Sequence, residues 1–180
     1  ANKAFTLTGG INYKWNRTEY YKKLDDLLGG DYYMNIDQFA ERDFASNQAM
    51  VQNDLDYYLA NGSAQILRQG DKYGYDYYAN VRKAEIWANG AFDFGGFKAN
   101  LALQAGYETF WRDGIVRKGL FPGLDEDGSE FFVEGKSLTT YENVGGQLVP
   151  ITSKGRSAIT DFFTYSAKLG LQYHFAGGHR

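Results

Sequence analysis

Chemistry in this chain would have to come from a few places. The stretch "LDEDGSEFFVE" gathers Asp125, Asp127, Glu130 and Glu134 around a glycine, and hard cations favour clustered carboxylates. Their spacing departs from the EF-hand pattern, so the stretch is read as a solvated acidic loop with no metal assigned. His174 and His179 are the 2 histidines. Neither has a second base or a thiol near it in sequence; His174 is read as lining a polar interior and His179 as lying in a turn. No Ser stands in a nucleophile motif, and no phosphate-binding glycine loop of the usual spacing occurs. The chain is therefore not expected to be an enzyme, and no cofactor is expected.

Binding is better represented than catalysis. Of the 15 tyrosines, Tyr32, Tyr33, Tyr73 and Tyr75 fall in a long polar segment and are the candidate ligand contacts. A tyrosine offers a flat apolar ring and a hydrogen-bonding tip, which suits sugars or peptides. Tyr57 and Tyr58 share the segment but sit in a short helical pattern with Val51, Leu55 and Leu59 that stops at Asn61-Gly62, and there the rings are as readily packing residues.

The elements that must position these residues are strands. Glycine at 22 positions, proline at only 2 and aromatics at 17% favour extended structure joined by glycine turns. With no Cys, disulfide frameworks and thiolate metal sites are excluded. A net charge of -3 supplies no basic face for phosphates, so nucleic acid is not an expected partner. The acidity is local: Arg17 to Asp76 holds 11 acids and 6 bases.

Apolar residues alternate with polar ones in four stretches, about 3–20, 77–94, 97–112 and 161–175. Two irregular connections, about 21–76 and 113–160, separate them. Between the middle pair, Gly95-Gly96 forms the expected two-residue hairpin. Phe94 then faces Phe97, Ile86 faces Ala105 and Ala84 faces Tyr107, while Asp93 meets Lys98 and Lys83 meets Glu108. One register satisfies both faces.

These strands exceed the usual length of about five or six residues, and they suffice for the roughly 9 to 11 that a tilted strand needs to cross a bilayer. No apolar run is long enough for a spanning helix. Aromatics cluster toward the strand ends: Phe92, Phe94, Phe97, Tyr173 and Phe175 at the short turns, and Tyr13, Trp15, Tyr107, Trp111, Phe163 and Tyr165 toward the long loops. Leu, Ala, Ile and Gly fill the middles. Bilayers select such girdles, so Trp15, Phe94, Phe97, Trp111, Tyr173 and Phe175 are expected at the membrane interfaces. The opposite face carries Lys83, Glu85, Trp87 and Glu108, expected to face a lumen. The expectation is an all-β chain, a segment of a large antiparallel transmembrane barrel with two extracellular loops and short periplasmic turns. Four strands cannot close a barrel, and "ANKAFTLTGG" has no signal-peptide character, so an interior segment of a longer chain is expected.

The run from "YETFWRDGIVRKGLFPG" through "GKSLTTYENVG" to "FFTYSAKLGLQYHFAGGHR" resembles the late barrel region of TonB-dependent outer-membrane transporters, the nutrient receptors of gut anaerobes. The resemblance covers about 77–180 and excludes the acidic loop. It implies a Gram-negative outer-membrane location in contact with lipid, a plug domain and TonB box elsewhere, import of a glycan, peptide or chelate driven through the TonB complex, and room for a surface lipoprotein partner. The alternative is a secreted soluble all-β module of lectin or adhesin type, in which the apolar face would pack on a second sheet. An outer-membrane enzyme barrel is a third reading.

Overall fold

The computed structural model describes residues 4–175. His179 and the Gly177-Gly178 turn lie outside the described residues. In chain order the elements are β1 (Phe5–Lys23), β2 (Tyr33–Met34), α1 (Gln38–Phe44), α2 (Leu55–Asn61), β3 (Ile66–Leu67), β4 (Lys72–Asp93), β5 (Phe97–Gly114), β6 (Phe132–Val133), β7 (Lys136–Ser137), β8 (Tyr141–Val144), β9 (Gln147–Pro150), β10 (Gly155–Arg156) and β11 (Thr160–Tyr173). The fold is all-β, and its main sheet runs β1-β4-β5, with β11 and β10 both pairing on the far side of β5.

Pairing is antiparallel. β11 lies on β5 from Thr160↔Phe110 to Tyr173↔Phe97. Between β1 and β4, Phe5 stacks near Phe92 and Tyr20 near Tyr77, so partner numbers run in opposite directions. The β4–β5 hairpin closes where the Phe94 N–H donates to the Phe97 carbonyl at 2.9 Å. Positive φ falls on Gly95 alone of the turn's two glycines, at 77°, the pattern of a type II′ turn. Lys83 forms its ion pair with Glu85 on its own strand at 3.0 Å, and Glu108 acts on it through space.

The four alternating stretches are strands over 5–20, 77–93, 97–112 and 161–173, with Phe94, His174 and Phe175 just outside them. β1, β4 and β5 run further than alternation alone indicates, to Lys23, back to Lys72 and on to Gly114. In those extensions charge and rings join the strands in place of apolar alternation: Lys72 of β4 pairs with Glu19 of β1, and its ammonium stands 4.3 Å from the Tyr21 ring centre.

The chain divides into two compact units. The first comprises 1–16, 81–110 and 159–180, and its described part is sheet. The second, 17–80 and 111–158, has a conventional core in which Leu24, Ala40, Val51, Leu55, Leu67 and Leu138 are buried. Two short helices stand in it. Asp37 caps α1 by accepting from the Phe39 and Ala40 N–H groups, and Asp54 caps α2 by accepting from Tyr57. α2 ends at Gly62, whose φ of 69° lets its N–H reach the Tyr58 carbonyl. The Arg117 carbonyl accepts from Leu55 N–H and the Gln52 carbonyl from Gly119 N–H, so the two long connections are stitched into one body. No helix among the described residues is long and apolar enough to cross a membrane, which says nothing of strands.

Candidate functional site

The first unit presents an apolar face with nothing over it. In the register of β11 on β5, Tyr173 opposes Phe97, Leu171 Ala99, Leu169 Leu101, Ala167 Leu103, Tyr165 Ala105 and Phe163 Tyr107. Each pair is apolar, and the same face continues across β4 through Ile86 and Phe92 and across β1 through Phe5, Leu7, Ile11, Tyr13 and Trp15. These side chains are open: Ile11 is 79% exposed, Leu169 67% and Tyr165 83%. A monomeric soluble protein rarely leaves an apolar surface of this continuity in water. Each such side chain, if buried, would contribute about 1.5–3 kcal/mol.

Rings frame the face. Phe92 stacks on Phe94 and Tyr173 packs edge-on against Phe175 near the hairpin turn. At the opposite end of the same strands, Trp15 lies under the Arg82 guanidinium and Phe163 tilts against Tyr165. Phe94, Phe97, Tyr173, Phe175 and Trp15 are all exposed on this unit. Trp111 is different. It belongs to the second unit and is only 7% exposed, its indole N–H donating to Asp113 and its ring lying beneath Arg156. Its strand parity matches the apolar face, but these partners leave little of it exposed.

The reverse face of the same unit is polar. Gln104 donates to Glu85 across the ladder at 2.6 Å and Lys98 pairs with Asp93 at 3.2 Å. Trp87 lies among these groups, its indole over Gly10 of β1. Glu108 shares the face, as do Phe110 and Phe162, whose rings stack 5.8 Å apart. That stack was hidden in sequence because both residues belong to the polar alternation set. His174 sits beside Gln172, ring nitrogen to amide nitrogen 3.2 Å.

The second unit holds a cavity of about 350 Å³, near the lower end of the size of small-molecule sites. Tyr33, Tyr73 and Tyr75 line it, and Tyr33 meets Tyr73 edge-on at 5.6 Å. Tyr32 does not line it and is 55% exposed. Sequence reasoning missed the polar part of the lining: Lys22, Asp37, Gln38, Asn53 and Lys118. The Lys22 stem lies against Gly74 of β4, whose φ of 75° is one that glycine adopts without strain. Its ammonium stands 5.4 Å from the Tyr75 ring centre and 5.7 Å from that of Tyr73. Lys118 pairs with Asp37 at 3.1 Å. Burial pushes the Asp37 carboxyl up, but the hydrogen bond from Lys118 and those from Ala40 and Phe39 outweigh it, and the carboxyl lies below its ordinary value. Asn53 is buried at 4%, and its Oδ1 has no hydrogen-bond partner.

The remaining sequence candidates are accounted for locally. Asp125 Oδ1 accepts from the N–H groups of Asp127 and Ser129, the geometry of a side-chain-stabilised turn. Among the described residues no group of three or more His, Cys, Asp or Glu is placed to hold a metal ion. Tyr58 packs on the cluster of Ala49, Leu55 and Leu138, whereas Tyr57 remains partly open. No family model, curated protein or solved structure matches the chain.

Proposed function

We propose that this chain is part of the barrel of a TonB-dependent outer-membrane transporter, with the first unit spanning the membrane and the second forming the extracellular loops that meet a nutrient. The observation that carries the reading is the continuous, uncovered apolar face of β1, β4, β5 and β11. In lipid that face is solvated; in water it is a liability. The segments 5–16, 81–93, 97–110 and Thr160–Tyr173 each suffice for the roughly 9 to 11 residues of a tilted spanning strand. Aromatic rings at both ends of the face and small or aliphatic residues between them fit a bilayer's two interfaces. The opposite, polar face with Lys83, Glu85, Trp87 and Glu108 suits a water-filled lumen.

β1 and β11 are each paired along one side only among the described residues. Inside lipid an unpaired strand edge costs several kcal/mol per backbone group. Membrane residence therefore requires further strands to close a barrel, and the transporter reading supplies them. No residue of this segment performs chemistry in that reading; the chain contributes wall, lumen surface and ligand contact.

The test is nitroxide scanning of single-cysteine variants of the full-length protein in outer-membrane vesicles, over 163–173. Lipid-soluble oxygen should relax labels at the odd positions and a water-soluble nickel chelate those at the even ones. If both sets are equally reached by the chelate, or the odd set is shielded from both reagents, the face does not meet lipid. The second outcome favours the soluble binding module.

A further inference from the structure

From the cavity of the second unit we infer that the captured ligand is an acidic saccharide, one whose sugar ring bears a carboxylate. This rests on the cavity being the ligand site and not on the membrane reading, since the same cavity would serve a soluble module. Three observations combine. Tyr73 and Tyr75 present ring surface, which takes the apolar C–H face of a sugar. Asp37, held ionised beside Lys118, and Gln38 provide acceptors and a donor for hydroxyl groups. Asn53 also lines the cavity, and its Oδ1, which has no partner, is sealed from solvent, so a hydroxyl donor satisfies it once the side chain turns toward the ligand.

The sign of the ligand follows from the two ammonium groups. Lys118 is neutralised by Asp37, but Lys22 forms no ion pair with any carboxylate among the described residues; its ammonium stands near the rings of Tyr73 and Tyr75. The cavity thus holds one more cation than anion among Lys22, Lys118 and Asp37, within a segment that is acidic as a whole. A neutral sugar would leave the exposed Lys22 ammonium to water alone. A carboxylate on a ring stacked against Tyr73 or Tyr75 would answer it, and a charge-assisted hydrogen bond is the stronger kind. An acidic peptide would satisfy Lys22 equally but would bring few hydroxyls for Asp37 and Asn53.

Calorimetry on the full-length protein in detergent decides this, with tetragalacturonic acid, a hyaluronan tetrasaccharide and sialyllactose as probes, their neutral parents as controls and triglutamate as the peptide arm. At least one acidic saccharide should bind about tenfold or more tightly than its neutral parent, with an affinity that falls as salt rises. Lys22→Met keeps the stem over Gly74 and should abolish the preference for acid, whereas Tyr73→Ala should weaken acidic and neutral forms alike. Equal binding of the neutral parents, binding of triglutamate as tight as the best saccharide, or binding by none of the probes would overturn the inference. Retention of the preference in a folded Lys22→Met protein would do so too. None of these results bears on nitroxide accessibility, so the two readings fail separately.

Discussion

The indole of Trp87 lies flat across Gly10 of the neighbouring strand, so that a Cβ built on Gly10 would stand 2.9 to 3.0 Å from its ring atoms. On a polar face this is how a large ring is held down without a pocket: the neighbour has no side chain. The contact is with the far end of a side chain, so the ring and not the backbone must yield. Gly10→Ala is expected to swing the indole outward, raising its quenching by acrylamide in a protein with the other tryptophans replaced by Phe. The cost in stability should stay within about 1 kcal/mol, at the mild end of overpacking. An unchanged quenching constant would mean the indole is not seated on Gly10.

The sheet was legible in the sequence because alternation at period two is imposed by the two-faced environment of a strand, and Gly95-Gly96 fixed the register between β4 and β5. Exposure and cross-strand contacts follow from those two facts. The second unit was legible only at α2, where Leu55 and Tyr58 face a core and Gly62 ends the turn. α1 escaped notice because its seven residues are set by the Asp37 cap and by packing at Ala40, not by periodicity. The cavity escaped more fully: Lys22, Asp37, Asn53 and Lys118 are brought together by contacts between segments far apart in the chain. For a related reason the burial of Trp111 was not legible, since parity predicts a face but not that Arg156 will cover it.

Charge on the apolar face separates lipid from water as its solvent. Leu169 lies midway between the ring clusters of β11 and opposite Leu101. Leu169→Arg should lower unfolding stability of the protein in vesicles by roughly 2–4 kcal/mol, the cost of a cation near a bilayer midplane. Ser166→Arg, on the polar face opposite Gln104, should change it by no more than about 0.5 kcal/mol. Urea titrations of both variants make the comparison, and equal small effects would argue that the face is wetted.

Asp113 organises a cluster in the second unit. Its Oδ2 accepts from the Asn80 amide at 2.8 Å and from the Trp111 indole at 3.2 Å, and its Oδ1 takes Arg156 at 3.3 Å. Asn80 is 2% exposed, so Asp113→Ala strands a buried donor. A loss of about 1–3 kcal/mol is expected, together with faster hydrogen exchange at the Trp111 indole. The double variant Asp113→Ala with Asn80→Ala should lose less than the sum of the singles, because the second change removes the group the first had orphaned.

Acid should loosen α1 specifically. The native Asp37 carboxyl lies below its ordinary value despite partial burial, because Lys118 and two backbone N–H groups favour the ionised form. Its contribution is therefore fully present above the unfolded pKa of about 3.9 and lost as pH falls through the lower native value. Asp37→Asn keeps a capping oxygen but cannot carry charge to Lys118, so at neutral pH it should cost of order 1 kcal/mol or less. The informative quantity is the difference between wild type and variant in the protection of the Phe39 and Ala40 amides, corrected for intrinsic exchange. That difference should be constant from neutrality to about pH 5 and shrink toward zero below about pH 4. Were it to grow on acidification, or to persist unchanged, Asp37 would not be the ionised cap and ion-pair partner that holds one wall of the cavity.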